Sequence, residues 1–123
     1  MAAIKLSTNL EQSKKLIELG LDVNTADMHY FSDGYNPTKL NVGYSAENAK
    51  FYRGTENEYI PAWSLTALLG VLPLVDFTTP QLIGTPKTLY RCMYNDDLKS
   101  HAYDNPIDAC VEMIHKLKED DKL

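Results

Sequence analysis

Residues 104–115 read DNPIDACVEMIH, and the helix that they predict decides the interpretation of the whole chain. Asn105 precedes Pro106, and because the residue before a proline is held in extended geometry, this pair predicts a helix start with Asn105 as its cap. Apolar side chains then recur at helical spacing to about residue 118. This stripe, which would face the core, consists of Ile107, Cys110, Val111, Ile114 and Leu117.

The Asp, Cys and His of the same segment could instead indicate chemistry. Cys110 lies within the apolar stripe, where a reduced cysteine behaves as a small hydrophobic residue. Asp108 lies three residues after the cap, where a carboxylate favours the positive end of the helix. A Cys–His nucleophile needs its side chains within hydrogen-bond reach, whereas the spacing to His115 places them well apart around the helix. We therefore interpret the segment as structural.

A second helix is predicted within residues 7–21, which read STNLEQSKKLIELGL. Thr8 followed three residues later by Glu11 fits a capping box, in which each side chain satisfies the backbone N–H of the other residue, and Asn9 is an alternative cap. Gly20 can adopt the left-handed conformation that ends a helix. The segment therefore predicts one short helix with defined ends.

The middle of the chain predicts another helix in residues 60–73, which read IPAWSLTALLGVLP. Pro61 suits the first helical position, because that position needs no N–H donor. Leucines recur at the spacing of one buried face until Gly70 and Pro73 end the pattern. Ile60 is a poor N-cap, so the first N–H groups need another acceptor. We expect this helix to be the most buried element.

Four short segments have the composition and alternation of strands. Residues 25–31 (TADMHYF) and 39–45 (KLNVGYS) flank a stretch of turn residues, so they predict an antiparallel hairpin. Residues 87–95 (KTLYRCMYN) alternate strictly, which predicts a strand next to this hairpin, with residues 80–84 (PQLIG) as its partner. Helices and strands together predict an α+β fold with three helices packed on one face of a small, mainly antiparallel β-sheet.

Length and composition narrow the class of protein. The chain has 123 residues, of which 44% are hydrophobic and 24% charged, so we predict a single domain over 1–123 whose acidic end, 119–123, frays. The net charge of -5 makes a nucleic-acid partner unlikely, because phosphate binding needs a basic face. The N-terminus lacks an apolar signal core and the longest apolar run is too short for a bilayer. We therefore expect a cytoplasmic protein without a membrane partner.

No motif in the sequence assigns a metal or a cofactor. Asp27 and His29 lie on one side of a predicted strand, with Asp33 nearby, but no further ligands accompany them. A polar, outward face of the strand is the favoured interpretation. The sequence has no glycine-rich phosphate loop, nucleophile elbow or metalloprotease helix, so we predict no metal, no cofactor and no catalytic residue.

One combination of residues could support an enzyme. Cys92 and His101 could pair across a turn, with Asp97 close by, which is the raw material of a thiol enzyme or a small hydrolase. The same stretch also has the composition of an ordinary solvated loop. Cys92 and Cys110 belong to no paired motif, as expected for two reduced thiols in a cytosolic protein. We keep the enzyme as an alternative and favour a protein without catalytic activity.

The eight tyrosines are the most suggestive feature, because most of them fall in the predicted sheet and its loops. Tyrosine combines a large apolar body with a polar tip and is favoured in protein interfaces. Aromatic side chains on a sheet can also stack with the bases of single-stranded nucleic acid. Tyrosine forms strands readily, so half-buried sheet positions explain its frequency equally well. The candidate contacts of a sheet surface are Tyr30, Tyr44, Tyr90 and Tyr94.

Three segments together resemble a known group of proteins, and they read KLSTNLEQSKKLIELGLDVNTADM, YIPAWSLTALLGVLP and YDNPIDACVEMI. They are similar to a family of short hypothetical proteins of gut anaerobic bacteria that are often associated with phages or mobile elements. The likeness covers about half of the chain and leaves residues 30–58 and 74–100 unmatched. The family has no assigned activity, so the resemblance implies a bacterial, element-encoded accessory protein and transfers no functional residue.

The favoured function is therefore a small non-enzymatic protein-interaction or accessory module of a bacterial mobile element, which binds a protein partner or a second copy of itself. Alanine substitutions at the four candidate tyrosines would then weaken association and leave the fold largely intact. The alternatives are the thiol enzyme or hydrolase built on Cys92, His101 and Asp97, and a nucleic-acid-associated regulatory protein.

Overall fold

The computed structural model describes residues 5–32, 39–42, 58–84 and 89–123, and it confirms the predicted α+β class with three helices in these ranges. In chain order, the elements are α1 (Leu10–Glu18), β1 (Met28–Ser32), β2 (Lys39–Val42), β3 (Glu58–Ala62), α2 (Leu65–Val71), β4 (Gln81–Gly84), β5 (Tyr90–Met93) and α3 (Pro106–Glu119). A short 3-10 turn, Val23–Thr25, lies between α1 and β1.

The strands form two antiparallel sheets instead of the single sheet that the sequence predicts. In the first sheet, β1 lies between β2 and β3, which confirms the hairpin of β1 and β2; its turn, residues 33–38, lies outside the described residues. In the second sheet, β4 pairs with β5, as predicted. The expectation that β5 lies next to the hairpin is wrong. Its other edge bonds to the chain that follows it, through the bridges Tyr90–Tyr103 and Met93–Lys99.

The start of α1 corrects the predicted capping box. The N-cap is Asn9, whose side chain accepts the backbone N–H of Gln12 (2.7 Å), while the Gln12 side chain accepts the backbone N–H of Asn9 (3.1 Å). The box of Thr8 and Glu11 does not form, because Thr8 is fully buried and its hydroxyl accepts the backbone N–H of Trp63 (3.1 Å). The alternative cap, Asn9, is thereby confirmed.

The end of α1 follows the glycine signal in the sequence. Gly20 has a φ angle of +93°, in the left-handed region that glycine adopts without steric cost. The backbone N–H of Leu21 then donates to the carbonyl of Leu16 (3.1 Å), and both leucines are buried. This turn ends α1 and directs the chain toward β1.

The second helix begins later in the chain than its proline suggests. Pro61 belongs to β3, an outer strand of the first sheet, and α2 begins at Leu65 with Ser64 as its N-cap. The hydroxyl of Ser64 accepts the backbone N–H of Ala67 (3.2 Å). The predicted start at Pro61 is wrong because Ser64 is a far better cap than Ile60, and because an outer strand tolerates a residue without an N–H group.

The helix predicted from residues 104–115 is confirmed. Asn105 is its N-cap and accepts the backbone N–H of Asp108 (2.8 Å), and Pro106 occupies the first turn. The fraying expected for residues 119–123 stays a prediction. The apolar stripe is buried along its whole length and consists of Ile107, Cys110, Val111, Ile114 and Leu117.

One hydrophobic core connects the three helices to the two-stranded sheet. α3 lies against β5 and α2, whereas α1 lies against β3 of the other sheet. The predicted packing of all three helices on one sheet face is therefore not confirmed. Buried side chains of the three helices nevertheless belong to one cluster, which includes Leu16 of α1, Leu68 of α2 and Ile114 of α3.

Candidate functional site

The candidate tyrosines that the structure describes lie on two different sheets. Tyr30 belongs to β1 of the three-stranded sheet, whereas Tyr90 belongs to β5 of the two-stranded sheet and Tyr94 directly follows β5. Tyr44 lies outside the described residues. A partner would therefore meet Tyr30 and Tyr90 on separate elements, and their role in interaction stays a prediction.

Two of these tyrosines direct their hydroxyl groups into the protein. Tyr30 donates to the backbone carbonyl of Thr8 (2.9 Å), and Tyr94 donates to the backbone carbonyl of Pro73 (2.6 Å). Tyr94 is only 6% exposed, and burial raises the pKa of its phenol to about 12, because the charged form would lose its hydration. Tyr94 therefore supports the fold and does not present a surface.

Tyr90 differs from the other two because its side chain lines a cleft. The cleft has a volume of about 570 Å³ and lies between the N-terminal segment and the starts of α2 and α3. Its apolar lining includes Leu6, Leu65 and Ile107. The backbone of Tyr90 is fixed by two hydrogen bonds to Tyr103, of 2.6 and 2.8 Å. Tyr90 thus combines a fixed backbone with a side chain that a partner could contact.

The structure does not bring together the residues of the alternative thiol enzyme. Cys92 has no exposed surface, whereas the side chain of His101 is 83% exposed. Nδ1 of His101 lies 2.8 Å from a carboxylate oxygen of Glu112, and Asp97 is exposed in the turn after β5. A thiol nucleophile needs its base within hydrogen-bond reach, so this arrangement does not activate Cys92.

The pair Asp27 and His29 also serves the fold. The carboxylate of Asp27 accepts both the backbone N–H of Ser64 and its hydroxyl, which fixes the start of α2. His29 is 1% exposed, and burial lowers the pKa of its imidazole. The expected outward strand face is therefore wrong for His29. In the ranges that the structure describes, no three His, Cys, Asp or Glu side chains come together as a metal site requires.

A network of polar side chains joins α1 to the start of α3. Oδ1 of Asp108 accepts the Lys5 ammonium group (2.6 Å) and the Gln12 amide (2.7 Å), and Oδ2 accepts the Asn105 amide (2.7 Å). Burial alone would raise the pKa of Asp108, but these hydrogen bonds and the Lys5 charge outweigh it and lower the pKa below its ordinary 3.8. The carboxylate is therefore ionised and both of its oxygens are occupied.

A second carboxylate, one turn further along α3, is held in a similar way. Glu112 accepts the hydroxyl of Tyr103 (2.6 Å) and the backbone N–H of His101 (2.9 Å). Burial would raise the pKa of Glu112, but its hydrogen bonds outweigh it and lower the pKa below the ordinary 4.5. A cleft of about 430 Å³ adjoins both carboxylates. Since each is ionised and already bonded, neither is suited to act as a general acid.

The connection between α2 and β4 contains a two-residue turn with an unusual backbone. Val75 and Thr78 pair through two N–H to C=O hydrogen bonds of 3.0 and 2.9 Å. The residues between them, Asp76 and Phe77, have φ angles of +51° and +63°. Positive φ at both central positions is the geometry of a type I′ turn, for which Asn-Gly and Asp-Gly are preferred. A left-handed conformation costs a residue such as phenylalanine about 1–2 kcal/mol.

This turn exposes two large apolar side chains. Phe77 is 99% exposed and Leu74 is 63% exposed, and we call these two residues the turn tip. Val75, which lies between them, is buried, and Tyr94 donates its hydroxyl to the carbonyl of Pro73 at the base of the turn. The turn tip therefore projects from a base that is fixed in the core.

Sequence reasoning missed the turn tip. Asp76 is a common turn residue, but a bulky aromatic residue normally avoids positive φ, so no propensity predicts Phe77 at this position. The signal that was present is the pair of β-branched residues, Val75 and Thr78, separated by two residues, which is the spacing of a tight hairpin. That spacing could have located the turn, although it could not have given the exposure of its ring.

Comparisons with family models, with curated proteins and with solved structures found no match to this chain. The resemblance to short proteins of gut anaerobic bacteria therefore stays a prediction. Within the described ranges, no helix is both long enough and apolar enough to cross a membrane. A functional conclusion thus depends on the geometry of the described residues.

Proposed function

We propose that this chain is a small non-enzymatic protein-interaction module that binds a partner through the turn tip, Leu74 and Phe77. The 99% exposure of Phe77, in a conformation that bulky residues avoid, is the observation that carries this proposal. A role as an accessory protein of a bacterial mobile element, and a cytoplasmic location, complete the proposal and derive from the sequence alone.

The exposed ring is unfavourable for the isolated chain in two ways. Burial of a phenylalanine side chain stabilises a protein by about 1.5–3 kcal/mol, and Phe77 forgoes this contribution. Its left-handed backbone costs about 1–2 kcal/mol more. A partner that covers the ring would supply the missing burial, and aromatic side chains, phenylalanine included, are enriched in protein interfaces.

The fixed base of the turn favours binding as well. Val75 is buried and paired with Thr78, and Tyr94 holds the carbonyl of Pro73, so the backbone that carries the ring is already ordered. A contact residue that is ordered before binding loses less entropy when the complex forms. In this proposal, Tyr94 contributes to interaction indirectly, because it anchors the turn and does not itself contact the partner.

Tyr90 is a secondary candidate contact. It lines the cleft of about 570 Å³ together with Leu6, which is 62% exposed, so a partner that reaches this cleft would find apolar surface. Tyr30 and Tyr44 stay in the proposal as predicted from the sequence. A nucleic-acid partner is less favoured, since the net charge is -5.

Site-specific photo-crosslinking tests the proposal directly. The photoreactive residue p-benzoylphenylalanine replaces Phe77, and the variant is irradiated in cells of the bacterium that carries the gene. We expect a discrete covalent adduct on a denaturing gel, because the benzophenone reacts with groups that cover the ring. The mass of the adduct, measured by mass spectrometry, distinguishes a second copy of this chain from another protein.

The matched control places the same photoreactive residue at Lys14, an exposed position on α1. We expect no discrete adduct from this variant at the same expression level. An adduct pattern that is the same at both positions, or no adduct at position 77, would show that the turn tip does not bind a partner.

A further inference from the structure

The two-stranded sheet has an open edge. β4 pairs with β5 on one side, and no other strand in the described ranges pairs with β4 on its other side. Most residues of β4 are exposed, and the apolar side chain of Ile83 is 38% exposed. An edge strand presents unpaired N–H and C=O groups, to which another extended chain can bond.

The hydrogen bonds of β5 show which of its residues face away from β4. Tyr90 exchanges two backbone hydrogen bonds with Tyr103. Cys92 bonds to Ser100 through both its N–H and its C=O group. Because the N–H and C=O groups of one residue in an antiparallel strand point to the same side, Tyr90 and Cys92 direct both of their groups away from β4.

The register of the sheet then identifies the outward groups of β4. Gly84 lies opposite Tyr90, and Leu82 lies opposite Cys92. Residues that lie opposite each other in an antiparallel pair either exchange both hydrogen bonds or both face away from each other. The backbone N–H and C=O groups of Leu82 and Gly84 therefore point out of the open edge, with Ile83 between them.

We propose that β4 pairs in antiparallel fashion with β4 of a second copy of this chain, about a two-fold axis at Ile83. This register places Leu82 opposite Gly84 of the second copy, and the two residues exchange both of their backbone hydrogen bonds. The symmetry repeats the same pair on the other side of the axis. The two Ile83 side chains lie opposite each other on one face, where each covers exposed apolar surface of the other.

Two features of the strand favour a second copy as the occupant. The outward residues, Leu82 and Gly84, are equally far from Ile83, so a two-fold rotation brings each donor to an acceptor. Residues 77–84 (FTTPQLIG) carry no charge, so the paired segments do not repel each other although each chain has a net charge of -5. Pro80 directly precedes β4 and lacks an N–H group, which limits the pairing to β4 itself. Because so short a strand buries little area, we expect a weak dimer.

Cysteine crosslinking of the full-length chain tests the register. Ile83→Cys places two introduced thiols opposite each other, where the Cα atoms of such a pair lie about 4.5 Å apart, within the range that a disulfide spans. Gln81→Cys is the matched control, because it is exposed on the same strand while the register places its two copies more than about 10 Å apart. Cys92 and Cys110 are buried, so the introduced thiol is the accessible one.

The crosslinked product is measured with purified protein, a mild oxidant and a non-reducing gel. We expect the disulfide-linked dimer to form about tenfold or more faster from Ile83→Cys than from Gln81→Cys, because only the former pair meets the distance requirement. Equal rates for the two variants would overturn the proposal, since random collisions would then explain the product.

Sedimentation equilibrium tests the association without a crosslink. The wild-type chain should shift from monomer to dimer as its concentration rises toward about 1 mM. Ile83→Glu should weaken this association about fivefold or more, because it brings like charges directly opposite each other. Arg91 lies opposite Ile83 on β5, so the fold should tolerate the new carboxylate. Leu69→Glu, at an exposed apolar position of α2, is the matched control and should associate like the wild type.

Two results of the sedimentation experiment would overturn the proposal. One is a wild-type chain that stays monomeric over the whole concentration range, and the other is an Ile83→Glu variant that associates as tightly as the wild type. Neither measurement changes the turn tip. A dimer formed through the turn tip alone would survive Ile83→Glu, so failure of this proposal can be told apart from failure of the proposed function.

Discussion

α3 and the turn tip contain similar apolar side chains and place them in opposite environments. Ile114 of α3 has no exposed surface, whereas Phe77 of the turn is 99% exposed. In α3, successive turns of helix bring the apolar residues to one side, where the core covers them. In the two-residue turn, the central positions lie at the end of a chain reversal, where none of the described elements covers Phe77.

The contrast shows that Phe77 is exposed although buried residues lie close to it in the same turn. Val75, two positions earlier, is buried, and Tyr94 reaches the same connection through Pro73. The chain therefore covers the base of the turn and leaves its end uncovered. Exposure is a property of the type I′ backbone at Asp76 and Phe77, and substitutions can test the two regions separately.

The largest change in the free energy of unfolding is expected from a substitution in the apolar stripe of α3. Ile114→Ala should lower the free energy of unfolding by about 2–5 kcal/mol, because it removes buried methyl groups and leaves a cavity. The matched substitution in the turn tip, Leu74→Ala, should change it by no more than about 0.5 kcal/mol, because that side chain is already exposed. Urea denaturation of both variants gives the comparison. Similar losses at the two positions would mean that the turn tip is packed against the protein.

A smaller change in stability is expected from the carboxylates on the polar side of α3. The pKa values of Asp108 and Glu112 are lowered by folding, so the stability that they contribute is present above their ordinary values of 3.8 and 4.5. It is lost as the pH falls through the lower, folded values, and the midpoint of urea unfolding should decrease over this range.

Substitution of Asp108 isolates its part of this pH dependence. Asp108→Ala should cost about 1–2 kcal/mol at neutral pH, a figure discounted for the partial exposure of the carboxylate, and should reduce the loss of stability in acid. Asp97→Ala is the control, because this exposed side chain has no part in the network. If the Asp108 variant keeps the full acid dependence, the network does not contribute to stability through Asp108.

The smallest effect, of opposite sign, is expected at Phe77. Phe77→Gly creates the preferred Asp-Gly pair and should raise the free energy of unfolding by about 0.5–1 kcal/mol, since glycine adopts positive φ without a steric cost. Phe77→Ala is the matched control, because it removes the same exposed ring and keeps the left-handed cost. Thermal unfolding should therefore rank glycine above alanine. Equal melting temperatures would argue against a strained turn.

The comparison also separates what the sequence could predict from what it could not. α3 was predicted because its cap, its proline and its apolar stripe are local signals that agree. The division into two sheets was not predicted. One edge of β5 pairs with the chain that follows it, through the bridge of Tyr90 with Tyr103, and such a contact between a strand and a loop has no pattern in the sequence. The start of α2 was misplaced because Pro61 suits both a helix start and an outer strand.

The candidate site was less predictable than the fold. The frequency of tyrosine in the predicted strands made Tyr30, Tyr90 and Tyr94 candidate contacts. Composition, however, does not give the direction of a hydroxyl group. The acceptor for Tyr94 is the carbonyl of Pro73, 21 positions away, and only the tertiary structure reveals it. Phe77 was missed because its exposure follows from two φ angles that its residue type disfavours.

The salt bridge between Lys5 and Asp108 has a kinetic consequence. It joins residues that are 103 positions apart, so it closes almost the whole chain into a loop. Closing such a loop costs more conformational entropy than a local contact, so we expect it to follow the formation of α3 and of the hairpin. An interaction that forms after the folding barrier slows unfolding and leaves the folding rate nearly unchanged. We therefore expect substitution of Lys5 to shorten the lifetime of the folded molecule more than it slows folding.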